Sequence, residues 1–277
     1  MPNDFNQQII DEFRANSGRV GGPFEGARLI LLTTTGARSG APHTTPVGYL
    51  PDGEERILVI ASAGGGPKHP DWYHNLLADP LVTVEDGVFT YQARAVVLAG
   101  AERDEIFARA VAADPGWAAY QAKTTRVIPV VALHQVAGGP PEAASLGAAL
   151  KLIHDAFRRE LTLIRDEVTR SGPGLGAQLR VNCLTFCHGL HHHHRNEDDG
   201  MFARLEGQRP DLAPALARLR EEHRRIAALV ERLRQVAGDP DADPADARRE
   251  VTRLTTELEA HLTYEEEQLI PVLDGTG

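Results

Sequence analysis

The residues best suited to chemistry lie in a histidine-rich stretch of the C-terminal half, HHHHRNEDDGMF, from His191 to Phe202. If this stretch is helical, the apolar stripe of the residues before it continues through His193, Glu197 and Met201. An unpaired imidazole or carboxylate buried on such a stripe would cost several kcal/mol, roughly the penalty for burying lone polar or charged groups. A metal ion that binds both side chains is the leading explanation.

Three other amphipathic segments of this half carry the same kind of interruption. Their apolar stripes, spaced alternately by three and four residues, are broken only by His154, by His223, and by His261 with Glu265. In an up-down-up-down bundle with short loops, these residues lie at one level to within about 6 Å. Imidazoles and carboxylates from four helices are typical of a di-iron or di-manganese centre, whereas zinc usually takes four ligands. The predicted metal ligands are His154, His193, Glu197, His223, His261 and Glu265.

The same helical spacing predicts which neighbouring residues of these motifs face the core and which do not. The stripe passes through Glu265 rather than through either of the two glutamates that follow it. His191, His192 and His194 are expected beside the site or in solvent. His194 with Asp198 repeats the spacing of His193 with Glu197, so this pair is the alternative ligand pair.

These residues resemble the hemerythrin HHE family in four places. The first-helix histidine is followed by the HHRNE pair, by Glu222 with His223, and by HLTYE. The resemblance covers roughly residues 148–274. It implies a non-haem site of two iron ions bridged by two carboxylates, able to bind or react with dioxygen, peroxide or nitric oxide.

The first half of the chain has a different pattern. A leading amphipathic helix is followed by short β-rich runs bounded by Gly, Pro or Asp, which predicts a small closed or half-closed barrel. Two glycine-containing loops are candidate anion sites: Thr35–Gly40, with Arg38 and Ser39, and Ser62–Lys68, which precedes a helix.

The segments GARSGAPHTTPVGYL, IASAGGGPKHPDWYHNLLADP and WAAYQAKTTRVIPV resemble the deazaflavin (coenzyme F420)-dependent nitroreductase family, over residues 5–133. The resemblance implies a split β-barrel of the flavin-binding type, which often dimerises. It also implies hydride transfer from reduced F420 to a small-molecule acceptor such as a quinone, a nitroaromatic or an activated enone.

Carrying the family's cofactor contacts over to this chain places them in the two loops and the helix after the second. They fall on Arg38, Ser39, His43, Ser62, Ala63, Gly64, Gly65, Lys68, Trp72 and Asn75. His43 is a departure, because the family usually has an arginine there that meets the cofactor phosphate. Tyr49, Trp117 and Tyr120 resemble positions on the substrate side, and the two tyrosines are the catalytic candidates, with aromatic core packing as the alternative.

Together these patterns predict an α+β chain of two domains. Residues 1–137 form the split β-barrel, residues 138–144 a Gly/Pro/Ala-rich linker, and residues 145–277 the four-helix bundle. The net charge of −10 argues against a nucleic-acid partner. No apolar run approaches 18 residues, so we expect a cytoplasmic protein without an integral membrane segment, and a homodimer through the barrel.

Three functions are compatible with this architecture. The first is an F420H2-dependent oxidoreductase whose bundle is a separate sensor or scavenger of oxygen species or iron. The second is a coupled oxidase or peroxidase that passes electrons from deazaflavin to the iron pair. The third is a non-enzymatic protein that binds a deazaflavin or flavin together with iron. Deazaflavin transfers a hydride whereas iron takes single electrons, and no relay is evident between them, which favours the first function over the second.

Overall fold

The computed structural model describes residues 4–52, 56–87, 89–138, 141, 143–170, 177–239 and 241–275. It divides into two compact units, Met1–Gly139 and Pro140–Gly277, so the division falls inside the predicted linker. None of the helices in these ranges is long and apolar enough to cross a membrane.

The first unit is a closed antiparallel barrel, which is one of the two forms that the sequence patterns predicted. Its strands are β1 (Leu29–Thr35), β2 (Pro42–Asp52), β3 (Arg56–Ile60), β4 (Leu81–Glu85), β5 (Thr90–Val97) and β6 (Val130–Gly138). They are ordered β1-β2-β3-β6-β5-β4, and β4 pairs with β1 to close the barrel. Closure leaves no unpaired sheet edge.

Alternate side chains of β1 face the barrel core on one side of the strand and a covering helix on the other. Ile30 and Leu32 point into the main core cluster of the barrel, while Leu29 and Leu31 belong to a second cluster on the other face of the strand. Helix α1 (Asp4–Ala15) covers that outer face. Both sets are buried because successive side chains of a strand point to opposite faces.

Three further helices belong to this unit: α2 (Asp71–Ala78), α3 (Gly100–Ala113) and α4 (Gly116–Ala122). Helix α2 begins directly after Pro70 and places Trp72 and Leu76, one turn apart, in the barrel core. Helix α3 packs Ile106 and Phe107 against the third core cluster, beside β3 and β6. The loop before α2 is therefore held by a helix that is anchored in the core.

The second unit is a four-helix bundle. Its long helices are α5 (Leu146–Arg170), α6 (Ala177–Asn196), α8 (Ala213–Gly238) and α9 (Pro244–Leu273), and α6 continues through a π-helical segment, Glu197–Phe202, into α7 (Ala203–Gln208). Helices α5 and α8 each pack against both α6 and α9. The stripes predicted for α5, α8 and α9 are buried at every position.

The π-helical segment shifts the buried face of α6 by one position. The sequence predicted that Met201 would follow Glu197 on the stripe, but this prediction is wrong: Phe202 is fully buried and Met201 only partly. A π-helix forms i→i+5 hydrogen bonds, so the next core-facing residue comes five positions later instead of four. Such segments are frequent at functional sites.

Candidate metal centre and cofactor loops

Seven buried side chains with metal-ligand atoms converge in the middle of the bundle. They form two groups within which the potential ligand atoms lie within 4.8 Å of one another. The first group is His154, His193, Glu197 and Glu265, and the second is His194, His223 and His261. All six residues predicted from the sequence are present, and His194 is the addition.

The expectation that His194 would lie beside the site or in solvent differs from the structure. The His194 ring stacks on His223 at 4.1 Å, whereas the ring of the preceding His193 lies 5.3 Å from His154. Adjacent residues on a helix are about 100° apart. Because α6 packs against both α5 and α8, one histidine faces each neighbouring helix. A prediction that follows one apolar stripe along α6 places only His193 in the core and not His194.

The centre contains polar atoms that the protein itself does not pair. Among the buried side-chain atoms without a hydrogen-bond partner are the Nε2 atoms of all five histidines and both carboxylate oxygens of Glu197 and of Glu265. Leaving such groups unpaired in a protein interior is costly. A cation at this position would compensate all of them, and nitrogen with carboxylate oxygen is a suitable donor set for iron.

Each of the two buried carboxylates contacts one histidine of each group. The distances are 3.2 Å from Glu197 Oε1 to His193 Nε2, 3.7 Å from Glu197 Oε2 to His223 Nε2, 3.6 Å from Glu265 Oε2 to His154 Nε2, and 3.4 Å from Glu265 Oε2 to His261 Nε2. The carboxylates therefore lie between the two groups. That placement suits two cations that share both carboxylates.

Three of the histidines are oriented by carboxylates outside the cluster. The Nδ1 atom of His154 lies 3.0 Å from Glu266 Oε1, that of His223 2.9 Å from Asp198 Oδ1, and that of His261 3.1 Å from Glu222 Oε2. A carboxylate accepts a hydrogen bond, so each Nδ1 carries the proton and each Nε2 offers its lone pair to the interior. Histidines that bind metals are held in this way.

Burial also sets the protonation states of the cluster. It lowers the pKa of His223 and of His261 to about 4, and it lowers the pKa of His193 and His194 well below the usual value. The imidazoles are thus neutral at pH 7, which is their metal-binding form. Burial raises the pKa of Glu265 to about 8, so without a cation this carboxylate would hold a proton.

A surface pocket reaches one side of the centre. It is lined by His191, His194, Arg195, Asp198, Asp199, His223, Arg224, Ala227 and Val230. Two of these residues, His194 and His223, belong to the second histidine group. A small molecule in this pocket would therefore meet the centre from the side of that group.

In the barrel, the first candidate loop joins β1 to β2. It is closed by hydrogen bonds from Gly36 N to Ala41 O (2.8 Å) and between Ser39 Oγ and His43 Nε2 (3.2 Å). Arg38, Ser39 and His43 are exposed. The pairing with Ser39 gives His43 a role within the loop itself.

Two further predicted cofactor contacts, Asn75 and Trp72, also have partners within the barrel. Asn75, on α2, donates to Thr34 Oγ1 (3.0 Å) and accepts from Ala37 N (3.0 Å), so its amide anchors the first loop. Trp72 packs in the barrel core and is 7% exposed. The structure thus explains both residues by the support they give to the loops. Their direct contact with a cofactor stays a prediction.

The second candidate loop, Ser62–Lys68, has an unusual backbone. Ala63, Gly64 and Gly65 all have positive φ angles, of 47°, 63° and 80°. Gly65 also packs closely on α4, because a Cβ atom there would lie 2.7 Å from Tyr120 O. Lys68 and the loop residues 63 and 64 are exposed. The loop therefore packs against α4 on one side and is exposed to solvent on the other.

The two tyrosine candidates are both partly buried, but they pack in different clusters. Tyr49 packs against the main barrel core and pairs with Val59 on β3. Tyr120 packs with the third cluster, with its ring 6.0 Å from that of Trp117 and the Lys123 ammonium 5.4 Å from its own ring. The structure does not bring the two hydroxyl-bearing rings into one group. A catalytic role for either stays a prediction.

Comparison with known proteins assigns a family to each half. The model of the F420H(2)-dependent quinone reductase family matches residues 6–135, and the model of the hemerythrin HHE cation binding domain matches residues 146–273. Both agree with the resemblances found in the sequence.

Individual relatives agree for the first half. An F420H(2)-dependent quinone reductase of Mycobacterium tuberculosis is 36% identical over 125 residues, which are 44% of this chain and 83% of that protein. A putative F420H(2)-dependent quinone reductase of the same species is 34% identical over 104 residues, 38% of this chain and 87% of that protein. The solved structure of an F420-H2 dependent reductase (FDR-A) is 41% identical and covers 39% of this chain and 94% of its own, with a TM-score of 0.36. Residues 146–273 match the model of the hemerythrin HHE cation binding domain, and through residues 6–135 the chain belongs to the F420H(2)-dependent quinone reductase family.

Proposed function

We propose that the barrel is an F420H2-dependent oxidoreductase that reduces a quinone-type acceptor, with nitroaromatics and activated enones as related substrates. The observation that supports this most strongly is the match over residues 6–135, which includes both candidate loops. The relatives carry the name of F420H(2)-dependent quinone reductases, and their similarity to this chain covers most of their own length. When bound, the reduced deazaflavin supplies a hydride, that is, an electron pair together with one proton.

The residues of the barrel bind and orient the reactants. Arg38 and Lys68 are exposed cations, one on each candidate loop, and both suit the anionic parts of the cofactor. The second loop offers backbone N–H groups at left-handed residues, an arrangement that binds anions and oxygen atoms. Tyr49 and Tyr120 are the candidates for contact with the acceptor, and an association of two barrels is part of the same proposal.

Binding of F420 is the test of this proposal. Fluorescence titration should show that F420 binds, and that Arg38→Ala or Lys68→Ala weakens binding by about tenfold, as expected for the loss of one charge-assisted contact. Arg94→Ala is the matched control, because Arg94 is an exposed cation on β5 outside both loops. Tight binding of FMN without binding of F420 would place the barrel with flavin proteins and contradict the proposal.

For the bundle, we propose a centre of two iron ions that binds or reacts with dioxygen, peroxide or nitric oxide. The observation that supports it is the set of buried, unpaired Nε2 and carboxylate oxygen atoms. Glu197 and Glu265 would be shared between the two ions, with His154 and His193 on one side and three histidines on the other. When bound, the metal pair supplies redox-active positions for small diatomic ligands or peroxide. Glu266, Asp198 and Glu222 would hold histidine rings in place.

Metal analysis of the purified protein tests this second proposal. We expect about two metal ions per chain, mainly iron, with an absorption band in the near ultraviolet when oxidised. His193→Ala should lower the metal content far more than His192→Ala, because His193 lies in the cluster and the half-buried His192 does not. A chain that stays metal-free after reconstitution with iron would contradict the assignment.

A further inference from the structure

One guanidinium group ties together both ends of the second loop of the barrel. Arg126, in the segment before β6, donates hydrogen bonds to the carbonyl oxygens of Ala61 (3.0 Å), Ser62 and Gly66 (2.9 Å) and contacts His69 Nδ1 (3.0 Å). Bonds from a charged donor are stronger than those between neutral groups. Arg126 is separated from these partners by 57 to 65 residues, so it is a long-range anchor of the loop.

The segment between these anchor points would not keep its shape unaided. Ser62 has right-handed helical angles, φ −71° and ψ −36°, and Ala63 and Gly64 have left-handed ones. The left-handed region is unfavourable for a residue with a Cβ atom, so Ala63 is strained. A right-handed residue followed by a left-handed one turns successive N–H groups to one side and creates a concave site for anions.

The contact with His69 extends the same anchor to the start of α2. Arginine keeps all its protons in proteins, so Nδ1 of His69 must accept the bond. Neutral His69 therefore carries its proton on Nε2. Its ring lies 4.9 Å from that of Tyr73, in the first turn of α2. Arg126 thus joins the strand end, the loop and the helix start.

We propose that Arg126 is the positioning residue of the deazaflavin-binding loop. By holding two carbonyl oxygens of the loop and that of the preceding Ala61 toward its guanidinium, it keeps the N–H groups of Ala63 and Gly64 available to a phosphate or carbonyl oxygen of the bound deazaflavin. This inference rests on the proposed binding of F420 by the barrel. It assigns Arg126 to the support of the loop, while the exposed Lys68 contacts the ligand.

The first experiment compares Arg126→Lys and Arg126→Gln with wild type in the full-length chain. The Kd of F420, from fluorescence titration, and the KM of F420H2, with a simple quinone as acceptor, should both rise by at least about tenfold. The kcat at saturating F420H2 should change less, because the chemistry itself is untouched. Wild-type Kd and KM in folded Arg126 variants would overturn the inference.

Arg103→Lys is the matched control. The Arg103 guanidinium also donates two hydrogen bonds to a backbone carbonyl, that of Ile128, but it does not touch the loop. Its replacement should lower the melting temperature of the protein and leave the Kd of F420 within about twofold of wild type. An equal loss of affinity in Arg103→Lys would show that general destabilisation explains the Arg126 result, and would overturn the inference.

A rescue experiment separates positioning from simple stabilisation. Ala63→Gly removes the cost of the left-handed conformation. Its effect on the Kd should be larger in Arg126→Lys, where it should recover about tenfold of the lost affinity, than in wild type, because only the weakened loop has left its binding conformation. An effect of Ala63→Gly that is equal in both backgrounds would overturn the inference.

Ala63→Val keeps the proposal testable if the Arg126 variants do not fold. Residue 63 is exposed, so the change leaves the core intact, but a β-branched side chain strongly disfavours the left-handed region. We expect F420 to bind at least about tenfold more weakly to this variant; unchanged affinity would overturn the inference. Wild-type protein that fails to bind F420 would instead contradict the proposed function, and the inference with it.

Discussion

The two candidate sites of this chain differ in the parts of the protein from which they are built. The centre in the bundle consists of buried side chains on long helices, and their ligand atoms point at one another across the core. The site in the barrel consists of two loops with exposed cations and backbone N–H groups, held in place by Arg126 and Asn75. A buried centre depends on compensation of its charges, whereas a loop site depends on the support of its backbone.

This difference has a consequence for stability. Removal of the metal should strongly destabilise the bundle, because nine buried polar atoms of the centre then remain without hydrogen-bond partners. The barrel has a complete core without its cofactor, since the loops lie outside it.

Removal of the metal should have the largest effect. Chelation should lower the melting temperature of the helical unit by at least about 15 °C, since a ligand bound far above its Kd stabilises by several kcal/mol. The transition of the barrel should not move. Circular dichroism at a helical wavelength, recorded with and without chelator, measures the transition of the helical unit. Tryptophan fluorescence measures the transition of the barrel, because both tryptophans, Trp72 and Trp117, lie in the barrel unit. Equal shifts of both transitions would contradict the prediction that only the bundle depends on its ligand for stability.

The π-helical phase of α6 predicts a large difference between two neighbouring residues. Phe202→Ala should destabilise the bundle by about 3–5 kcal/mol, because a fully buried aromatic ring is lost. Met201→Ala should cost much less, since Met201 is only partly buried. Urea denaturation of the two variants measures the free energy of unfolding. Equal losses would mean that an unbroken α-helix describes this segment better.

The position of His194 predicts an effect on metal affinity. His194→Ala should weaken metal binding by about 10–100-fold, as expected for loss of a group at or next to a metal. His188→Ala is the control one and a half turns earlier on the same helix, outside both groups of the cluster. Competition with a chelator of known affinity gives the ratio. A His194 variant with wild-type affinity would reduce the centre to the six residues predicted from the sequence.

The metal-free bundle should depend on pH in a defined direction. The pKa of Glu265 is raised by burial to about 8, so the folded state holds a proton that the unfolded state releases above about pH 4.5. Above about pH 7.5 the histidines are nearly neutral in both states, because an unfolded histidine loses its proton near pH 6.5 and burial lowers the pKa further in the folded state. Between about pH 7.5 and 9 the free energy of unfolding should therefore fall by about 1 kcal/mol as pH rises. Denaturant titrations at both pH values measure the change, which Glu265→Gln should reduce.

The smallest effect concerns communication between the two sites. His261→Ala should abolish the reaction of the bundle with oxygen species and leave the reduction of a quinone by F420H2 within about twofold of wild type. A coupled oxidase gives the opposite result, because F420H2 consumption by oxygen would need the intact centre. Anaerobic mixing of F420H2 with the oxidised protein distinguishes the two. Bleaching of the iron band at the rate of F420H2 consumption would establish coupling.

Much of the bundle could be predicted because its information is local. The burial of His154, Glu265 and the apolar residues around them follows from a three-four spacing within single helices. The same is true of the alternation in β1, where the residues at 30 and 32 face one side and those at 29 and 31 the other. Periodicity of this kind requires no knowledge of the neighbouring elements.

Three features required the tertiary structure. The inward position of His194 depends on α6 having a neighbour on each side, and the burial of Phe202 in place of Met201 depends on a π-helical segment with no sequence signal that we recognised. The anchoring of the second loop by Arg126 joins residues about sixty positions apart.

The sequence by itself thus predicted a barrel followed by a helical bundle, and it identified six of the seven buried residues that lie together in the bundle. Helical and strand periods are short-range properties, and they mark the buried face of each element wherever the element lies. The tertiary structure alone decided which side chains meet between elements: the two groups of histidines, the carboxylates between them, and the guanidinium behind the glycine-rich loop. Those contacts join residues that are distant in the chain, and only packing of the helices and strands against one another brings them within hydrogen-bond distance.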